Sequence, residues 1–288
     1  MISLAPVRSR RGASALGAGV RPWRRLGGWS MIGLVAVVTV VAVLAPVLAS
    51  DNPIQPVADL NLPPLSPHHL LGTDDLGRDL LSRTLYGMRA SWFSALAIVV
   101  IGLVIGSMVG VTAGAFGGWL DGVLMRLTDL FLALPGPLVA IAVTAALGPG
   151  LIHTLVGVSV VWWPYYARII RAEVRSLSSR PHVESARLAG VGRIRLVGRH
   201  ILPGVVPTAI VTASLDIGNV VVLLAGLSFL GLGQSAPAPE LGADAQRNLH
   251  LVLDQWWIPV VPAVAVMVLS VIANLGGEAL RNLLAGDR

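Results

Sequence analysis

The chain contains no cysteine, which rules out a disulfide scaffold, a thiolate metal site and a thiol nucleophile. It contains no lysine either, since all 21 basic residues are arginine. A phosphate-binding loop of the GxxxxGKS/T kind and Schiff-base chemistry both need that amine, so any ATP has to be held by another chain. Charge of either sign is scarce. Charged residues make up 12% of 288 positions against 55% hydrophobic ones, with a mean hydropathy of +0.76, whereas soluble domains carry about 25% charge. A chain of this composition lives in lipid. The net charge of +6 does not point to nucleic acid, because the arginines cluster beside apolar runs, where they orient a membrane protein.

Runs of about 20 apolar residues can cross the hydrocarbon core, and six candidates are present: 31–49, 91–115, 123–147, 151–170, 204–230 and 257–276. Arg8, Arg10, Arg11, Arg21, Arg24 and Arg25 precede the first with no acidic residue among them, which places the N-terminus in the cytoplasm. An even number of spans returns the C-terminus to the same side. The 171–203 loop then also lies inside, with Arg171, Arg175, Arg180, Arg187, Arg193, Arg195 and Arg199, while the 50–90 and 231–256 segments lie outside and carry more acid than base. The first span is expected to stay in the chain as an anchor, because its apolar stretch is longer than a signal peptide needs.

The expected organisation is an Arg-rich cytoplasmic tail over 1–30, an anchor helix over 31–49, an extracytoplasmic linker with an interfacial helix over 50–90, a five-span core over 91–282, and a cytoplasmic tail over 283–288. Asp51 to Pro67 is rich in helix breakers and reads as irregular linker. No internal repeat of fixed period is visible.

The polar 171–203 loop carries the strongest pattern. Glu184-Ser185-Ala186 opens a short run of helix formers, Gly190 sits at the seventh position and permits a left-handed turn, and Leu202-Pro203 follows, the proline thirteen residues after that glycine. Ile194, Leu196 and Val197 are expected to give the second half an apolar side, and Pro203 to begin the next span where its missing N–H matters least. This spacing resembles the EAA loop of the inner-membrane subunits of ABC importers, with Ser185 replacing the middle alanine. Leu71-Gly72-Thr73-Asp74-Asp75-Leu76-Gly77-Arg78-Asp79-Leu80-Leu81-Ser82-Arg83 similarly resembles the LGTDxxGRDxxSR segment of the peptide-type C-subunit permeases. Read from the residues, Thr73 or Asp74 caps a short interfacial helix, and Asp74/Arg78 and Asp79/Arg83 form i,i+4 pairs along it. That helix, with Asp75, would serve as an outer gate or docking ledge, or simply orient the second span.

Further matches run in the same order. They include Phe116-Gly117-Gly118-Trp119-Leu120-Asp121, Leu132-Ala133-Leu134-Pro135 and Trp163-Pro164-Tyr165-Tyr166-Ala167-Arg168. Arg126 and Asp129 are spaced to neutralise each other, and Pro135 predicts a kink. The resemblance covers about residues 68–282. Two positions depart from it: Leu224 stands where the family has an acidic residue, and Gly204 follows Leu-Pro where asparagine is frequent.

The resemblance implies an all-α integral membrane protein of six transmembrane helices with the type I ABC importer permease architecture and both termini cytoplasmic. It implies a multi-pass permease of a prokaryotic inner membrane, taking di- or oligopeptides, with nickel or another small solute as the alternative. The implied partners are a B-type permease subunit, two ATP-binding subunits or domains that hold ATP and Mg, and an extracytoplasmic substrate-binding protein. The chain itself would bind no cofactor, metal or nucleic acid and catalyse nothing. Glu184, Ser185, Ala186, Gly190, Leu202 and Pro203 would dock the ATPase.

The expected pathway stripe is Thr208, Thr212, Asp216 and Asn219, spaced by four, four and three residues along one helical face. An ionisable group inside a span faces protein or water. A proton-coupled secondary transporter using Asp216 and Asp129 as relays is the reading from another class. An intramembrane enzyme is disfavoured, since no nucleophile–base pair stands out. His68-His69 reads as surface loop, because two adjacent histidines do not converge on a metal without further ligands. Trp162, Trp163, Trp256 and Trp257 read as interfacial belt residues.

Overall fold

The computed structural model describes the backbone of residues 21–285 and the side chains from 28 to 284. Most of the two terminal tails expected at 1–30 and 283–288 therefore lies outside the described residues. Among those described, the chain is all-α, with no strand. It comprises α1 (Arg21–Leu48), α2 (Leu80–Phe116), α3 (Gly118–Leu132), α4 (Gly136–Leu147), α5 (Leu151–Ser178), α6 (Pro181–Leu188), α7 (Arg193–Leu196), α8 (Leu202–Phe229), α9 (Leu241–Arg247) and α10 (Trp257–Ala285). A π-helical turn, Val197–Ile201, joins α7 to α8.

Four helical stretches are long and apolar enough to cross a membrane: Gly28–Leu48, Leu80–Phe116, Arg193–Phe229 and Trp257–Leu284. The 123–147 region, expected as one kinked span, is two helices, α3 and α4, bent by 85°. Pro135 is the reason. It caps α4 from an extended conformation, so the helix before it has already ended, and the residue ahead of a proline is disfavoured in the α region. Counted as one, the bent pair makes five spans. α5 is long enough, but Trp163-Pro164-Tyr165-Tyr166 at its centre and Arg168, Arg171, Glu173 and Arg175 beyond lower its hydropathy.

The helices pack around the α2–α5 contact. Gly102, Gly106, Gly110 and Gly114 recur every four residues and so share one face of α2. A Cβ on Gly106 would stand 2.5 Å from the Trp163 carbonyl oxygen and from Tyr166 Cβ, and one on Gly110 2.6 Å from the Ala167 carbonyl oxygen. The absence of side chains there lets the two backbones touch, which is how helices gain dispersion contacts in a solvent as apolar as their own side chains. Trp92, Ile98, Val158, Val220, Leu224 and Leu269 then close a core shared by α2, α5, α8 and α10. Gly277 of α10 lies equally tight on α8, 2.7 Å from the Ser214 carbonyl oxygen by the same measure. α1 leans on α10 and α2 and leaves Val37, Val40, Val43 and Val47 exposed.

Replacing Gly106 by valine is expected to destabilise the folded chain by about 1–3 kcal/mol, the usual penalty of forcing extra methyl groups into a packed contact. Gly122→Ala, with open space around it, is expected to stay within about 0.5 kcal/mol of the parent. Thermal unfolding of the two purified variants beside the parent checks both.

Candidate functional site

Two opposite features carry polar chemistry: a folded cap built from 51–79 and 231–256, and the loop running from α5 to α8.

The cap is assembled by the 71–83 motif, and not as a helix. Residues 73–79 form turns, and α2 begins only at Leu80. Asp79 is the cap of α2, its Oδ2 accepting from the Ser82 N–H at 2.7 Å, whereas Thr73 or Asp74 had been expected to cap. The reason lies in the two glycines. Gly72 and Gly77 take φ of +80° and +73°, conformations closed to most side chains. A Cβ on either would also strike backbone, at 2.1 Å from the Leu62 carbonyl oxygen and 2.3 Å from that of Ala58. They let the 58–62 strap lie directly against the motif. Thr73 Oγ1 fastens that strap by donating to the Asp59 carbonyl at 2.7 Å and accepting from the Leu62 N–H at 2.9 Å.

Asp74 and Arg78 do pair, at 2.7 Å, but inside a turn in which Asp74 Oδ1 also accepts from the N–H groups of Leu76 and Arg78. Arg83 does not pair with Asp79. Its guanidinium, 2% exposed, reaches Asp244 of α9 at 2.6 Å, Asp74 at 3.5 Å, and the carbonyls of Pro53 and Pro237. One buried cation thus ties the linker, the motif, α2 and the 231–256 segment together. Asp75 stays partly exposed, 3.9 Å from Arg78. Nearby, Glu240 caps α9 through the N–H groups of Gly242 and Ala243, and burial pushes its carboxyl above the usual range. His69, read as surface from the sequence, is buried and bonds Asp79 at 2.9 Å. Asp51 joins them, the three offering ligand atoms within 4.8 Å of one another.

At the other end, α6 starts at Pro181 with Glu184 in its first turn, where a carboxylate favours the helix dipole. Ser185 Oγ donates to the Pro181 carbonyl at 2.8 Å. Gly190 adopts φ +80° with its N–H on the Arg187 carbonyl and the Val191 N–H on Ala186. This is the left-handed helix exit that a glycine permits. Val183 and Leu196 are buried against Ile170, Val174 and Leu177 of α5. Ile194, expected beside Leu196, instead points out at 82% exposure, as does Leu188 at 85%. Two residues apart on a helix, 194 and 196 cannot face the same way. Leu202 and Pro203 open α8 as expected. The helix nevertheless runs on from α7, the π turn supplying a Leu202 N–H to Val197 carbonyl bond just before the proline, where the i→i+4 ladder is interrupted. Arg193 to Phe229 is one 37-residue element.

Within the bundle, Asp216 is buried inside its own chain. Trp162 Nε1 and Tyr166 Oη of α5 both donate to Asp216 Oδ2, the latter at 2.9 Å, and Asn219 approaches Oδ1 at 3.5 Å. Thr208 and Thr212 do not join this cluster; Thr212 Oγ1 donates to the Thr208 carbonyl. Trp162 is therefore an internal donor, and Trp163 is buried with Phe131 at 5.5 Å, so neither belongs to an interfacial belt. Asp129 pairs with Arg168 and not with Arg126, while Asp121 takes Arg171 and Arg175 together. These bridges bind α3 to α5. The four-residue glycine spacing was the available signal for the α2–α5 contact; nothing local signals the long-range partners of Asp121, Asp216 or Arg83.

The fold is a multi-span helical bundle with a folded cap at one end and, at the other, a helical loop continuous with α8. The chain belongs to the family described as binding-protein-dependent transport system inner membrane component, whose model matches residues 102–285. It is 36% identical over 251 residues to the probable D,D-dipeptide transport system permease protein of Escherichia coli (strain K12), covering 87% of this chain and 84% of that one. A dipeptide transport system permease protein of Haemophilus influenzae is also 36% identical, over 263 residues, covering 88% and 89%. A glutathione transport system permease protein of Pectobacterium atrosepticum is 38% identical over 216 residues, covering 75% and 72%. The MetNI methionine ABC transporter in an inward-facing conformation shares the fold, with a TM-score of 0.56 at 19% identity over 69% of this chain and 95% of that one. The type I ABC importer permease architecture is therefore the fold of this protein.

Arg83→Gln is expected to destabilise the chain by about 1–3 kcal/mol, because Asp244 loses its 2.6 Å partner and keeps only Arg247 at 3.0 Å, and the Pro53 and Pro237 carbonyls lose a donor, while Asp74 keeps Arg78. Adding Asp244→Asn is expected to restore part of the loss, read as melting midpoints of single and double variants. For the bundle, Asp216→Asn keeps an acceptor for Trp162 and Tyr166 and is expected to assemble and melt near the parent. Asp216→Leu strands both donors and is expected to cost about 1–3 kcal/mol for each, measured by the same unfolding assay.

Proposed function

We propose that this chain is one of two permease subunits of an ATP-driven importer of di- and oligopeptides. It would pair with a B-type permease, receive solute from an extracytoplasmic binding protein, and dock two ATP-binding subunits or domains, on which ATP and Mg reside. In this reading the chain spans the cytoplasmic membrane of a prokaryote six times, α5 and the bent α3–α4 pair each counting as one span. The α5–α8 loop and both termini face the cytoplasm, and the cap faces outward. The peptide preference rests on what relatives sharing more than a third of the sequence are named for; nickel or another small solute is the alternative, since the binding protein selects.

The observation that carries the reading is the build of the loop. α6 presents Glu184 and Leu188 outward while Val183 anchors it to α5. Gly190 turns the chain straight into the helix that continues to Phe229. A push on α6 therefore acts on a 37-residue rod lying against α5 and α10, and closely packed helices transmit displacement because their contacts do not deform continuously. α5 carries the same motion to α3 through Arg168, Arg171 and Arg175. A proton relay has no comparable support: Asp216 is held by Trp162 and Tyr166 and Asp129 by Arg168.

Gly190→Asp and Glu184→Arg, both on exposed loop surface, are expected to leave the complex assembled while uptake of a labelled dipeptide into reconstituted vesicles falls about 5- to 150-fold, the span of an ordinary coupling free energy. ATP hydrolysis is expected to persist but no longer respond to the loaded binding protein. Normal uptake by both variants would remove the loop from the coupling path.

A further inference from the structure

The buried carboxylates of the cap are not balanced alike. Asp74 and Asp244 each touch arginine, at 2.7 Å and 2.6 Å. Asp79, as buried as Asp74, has no arginine; its only side-chain partner among the described residues is His69. A second carboxylate, that of Asp51, stands within the same 4.8 Å circle. Asp51 is fixed there by its backbone N–H, which donates to Ser82 Oγ at 3.2 Å, and no donor among the described residues reaches its carboxylate. Two carboxylates so placed repel each other, and no arginine stands between them.

We propose that Asp51, His69 and Asp79 bind a divalent first-row transition-metal cation, Zn²⁺ fitting best, which staples the α1–α2 linker to the head of α2. Metal–ligand bonds of about 2.0–2.2 Å set neighbouring donor atoms about 3 Å apart, and His69 Nδ1 and Asp79 Oδ1 are 2.9 Å apart. An imidazole among the donors favours Zn²⁺ and its neighbours over Ca²⁺ and Mg²⁺, which prefer oxygen alone, and the chain has no thiolate for softer ions. On binding, the cation takes the place of the hydrogen between Nδ1 and Oδ1, and that hydrogen moves to Nε2 of the neutral ring. Asp79 Oδ2 stays on the Ser82 N–H, so the helix cap survives. Asp51 and His69 also line an open pocket of about 690 Å³ together with Asp59 and His68, through which water completes the coordination. The three ligands come from the linker just after α1, the segment between the 58–62 strap and the 71–83 motif, and the cap of α2. The metal would therefore hold together segments that the 71–83 motif otherwise joins only through hydrogen bonds.

The test uses the full chain purified with the subunits that accompany it, stripped with a chelator and titrated with ZnCl₂ against a fluorescent Zn²⁺ indicator. The parent is expected to bind one more Zn²⁺ per chain than Asp51→Asn, and to melt at higher temperature with Zn²⁺ than without. Asp51→Asn removes no hydrogen bond from the fold and is expected to weaken this site at least about tenfold. His69→Gln is expected to do the same, while His68→Gln leaves it unchanged. Excess Mg²⁺ is not expected to compete. Equal Zn²⁺ binding by parent and Asp51→Asn overturns the proposal, as does loss of binding through His68→Gln alone. Zn²⁺ content and melting are read without transport, so the proposal stands or falls independently of the importer reading.

Discussion

The four glycines on the α5-facing side of α2 set the spacing on which the other contacts depend. Because they carry no side chain, α2 and α5 approach until backbone meets backbone, and each helix then holds further elements at fixed reach. α5 presents Trp162 and Tyr166 to Asp216 of α8 on one side, and Arg168, Arg171 and Arg175 to the acids of α3 on another. α2 carries Arg83 into the cap at its first turn. Widening that contact by one methyl layer would shift α5, with the partners it holds, away from α2.

Charge is rare in this chain, and the structure spends it at joints. In the cap Arg83 reaches two carboxylates and two carbonyls, with Arg78 on Asp74 and Arg247 on Asp244 beside it; α3 is held by arginines of α5. Inside the bundle the same economy is met with neutral donors, the indole N–H and phenol O–H that satisfy Asp216. Buried charges without partners are severely unfavourable in an apolar surrounding, so each of these sites is also a constraint on which helix lies next to which. Glu240, buried without an arginine, is satisfied by the Gly242 and Ala243 N–H groups; Asp51 and Asp79 face each other beside His69 without one, which is why a cation is the natural complement.

The two ends of the molecule differ in mechanical character. The cap is cross-braced: glycine turns, a threonine and an arginine bind four stretches of chain remote in sequence. The loop is attached through Val183 and Leu196, packed on α5 and the end of α2, and shows apolar side chains such as Leu188 and Ile194 to its surroundings. One end is braced to keep its shape, while the other is held more lightly, as the proposed docking would require. The π turn before Pro203 joins the loop to α8 without a break in the helix.

Composition and periodicity were sufficient for the membrane class, for the long helices and for the 184–203 loop with its left-handed glycine, because these depend on local backbone preference and on transfer of apolar runs out of water. The four-residue glycine register was written there too. Partner choice was not. A helical reading of 73–79 placed Asp79 with Arg83 and hid the burial of His69, since a turn built on two positive-φ glycines has no hydrophobic period to announce it. Asp129 was matched to the nearest arginine in sequence, yet takes one thirty-nine residues away. Asp216 was read from the polar face it shares with Thr208, Thr212 and Asn219, while its donors Trp162 and Tyr166 stand on α5, fifty-four and fifty residues away. Ion pairs and buried hydrogen bonds are decided by which helices come within about 3 Å side chain to side chain, and that is fixed only when the glycines of α2 let the bundle close.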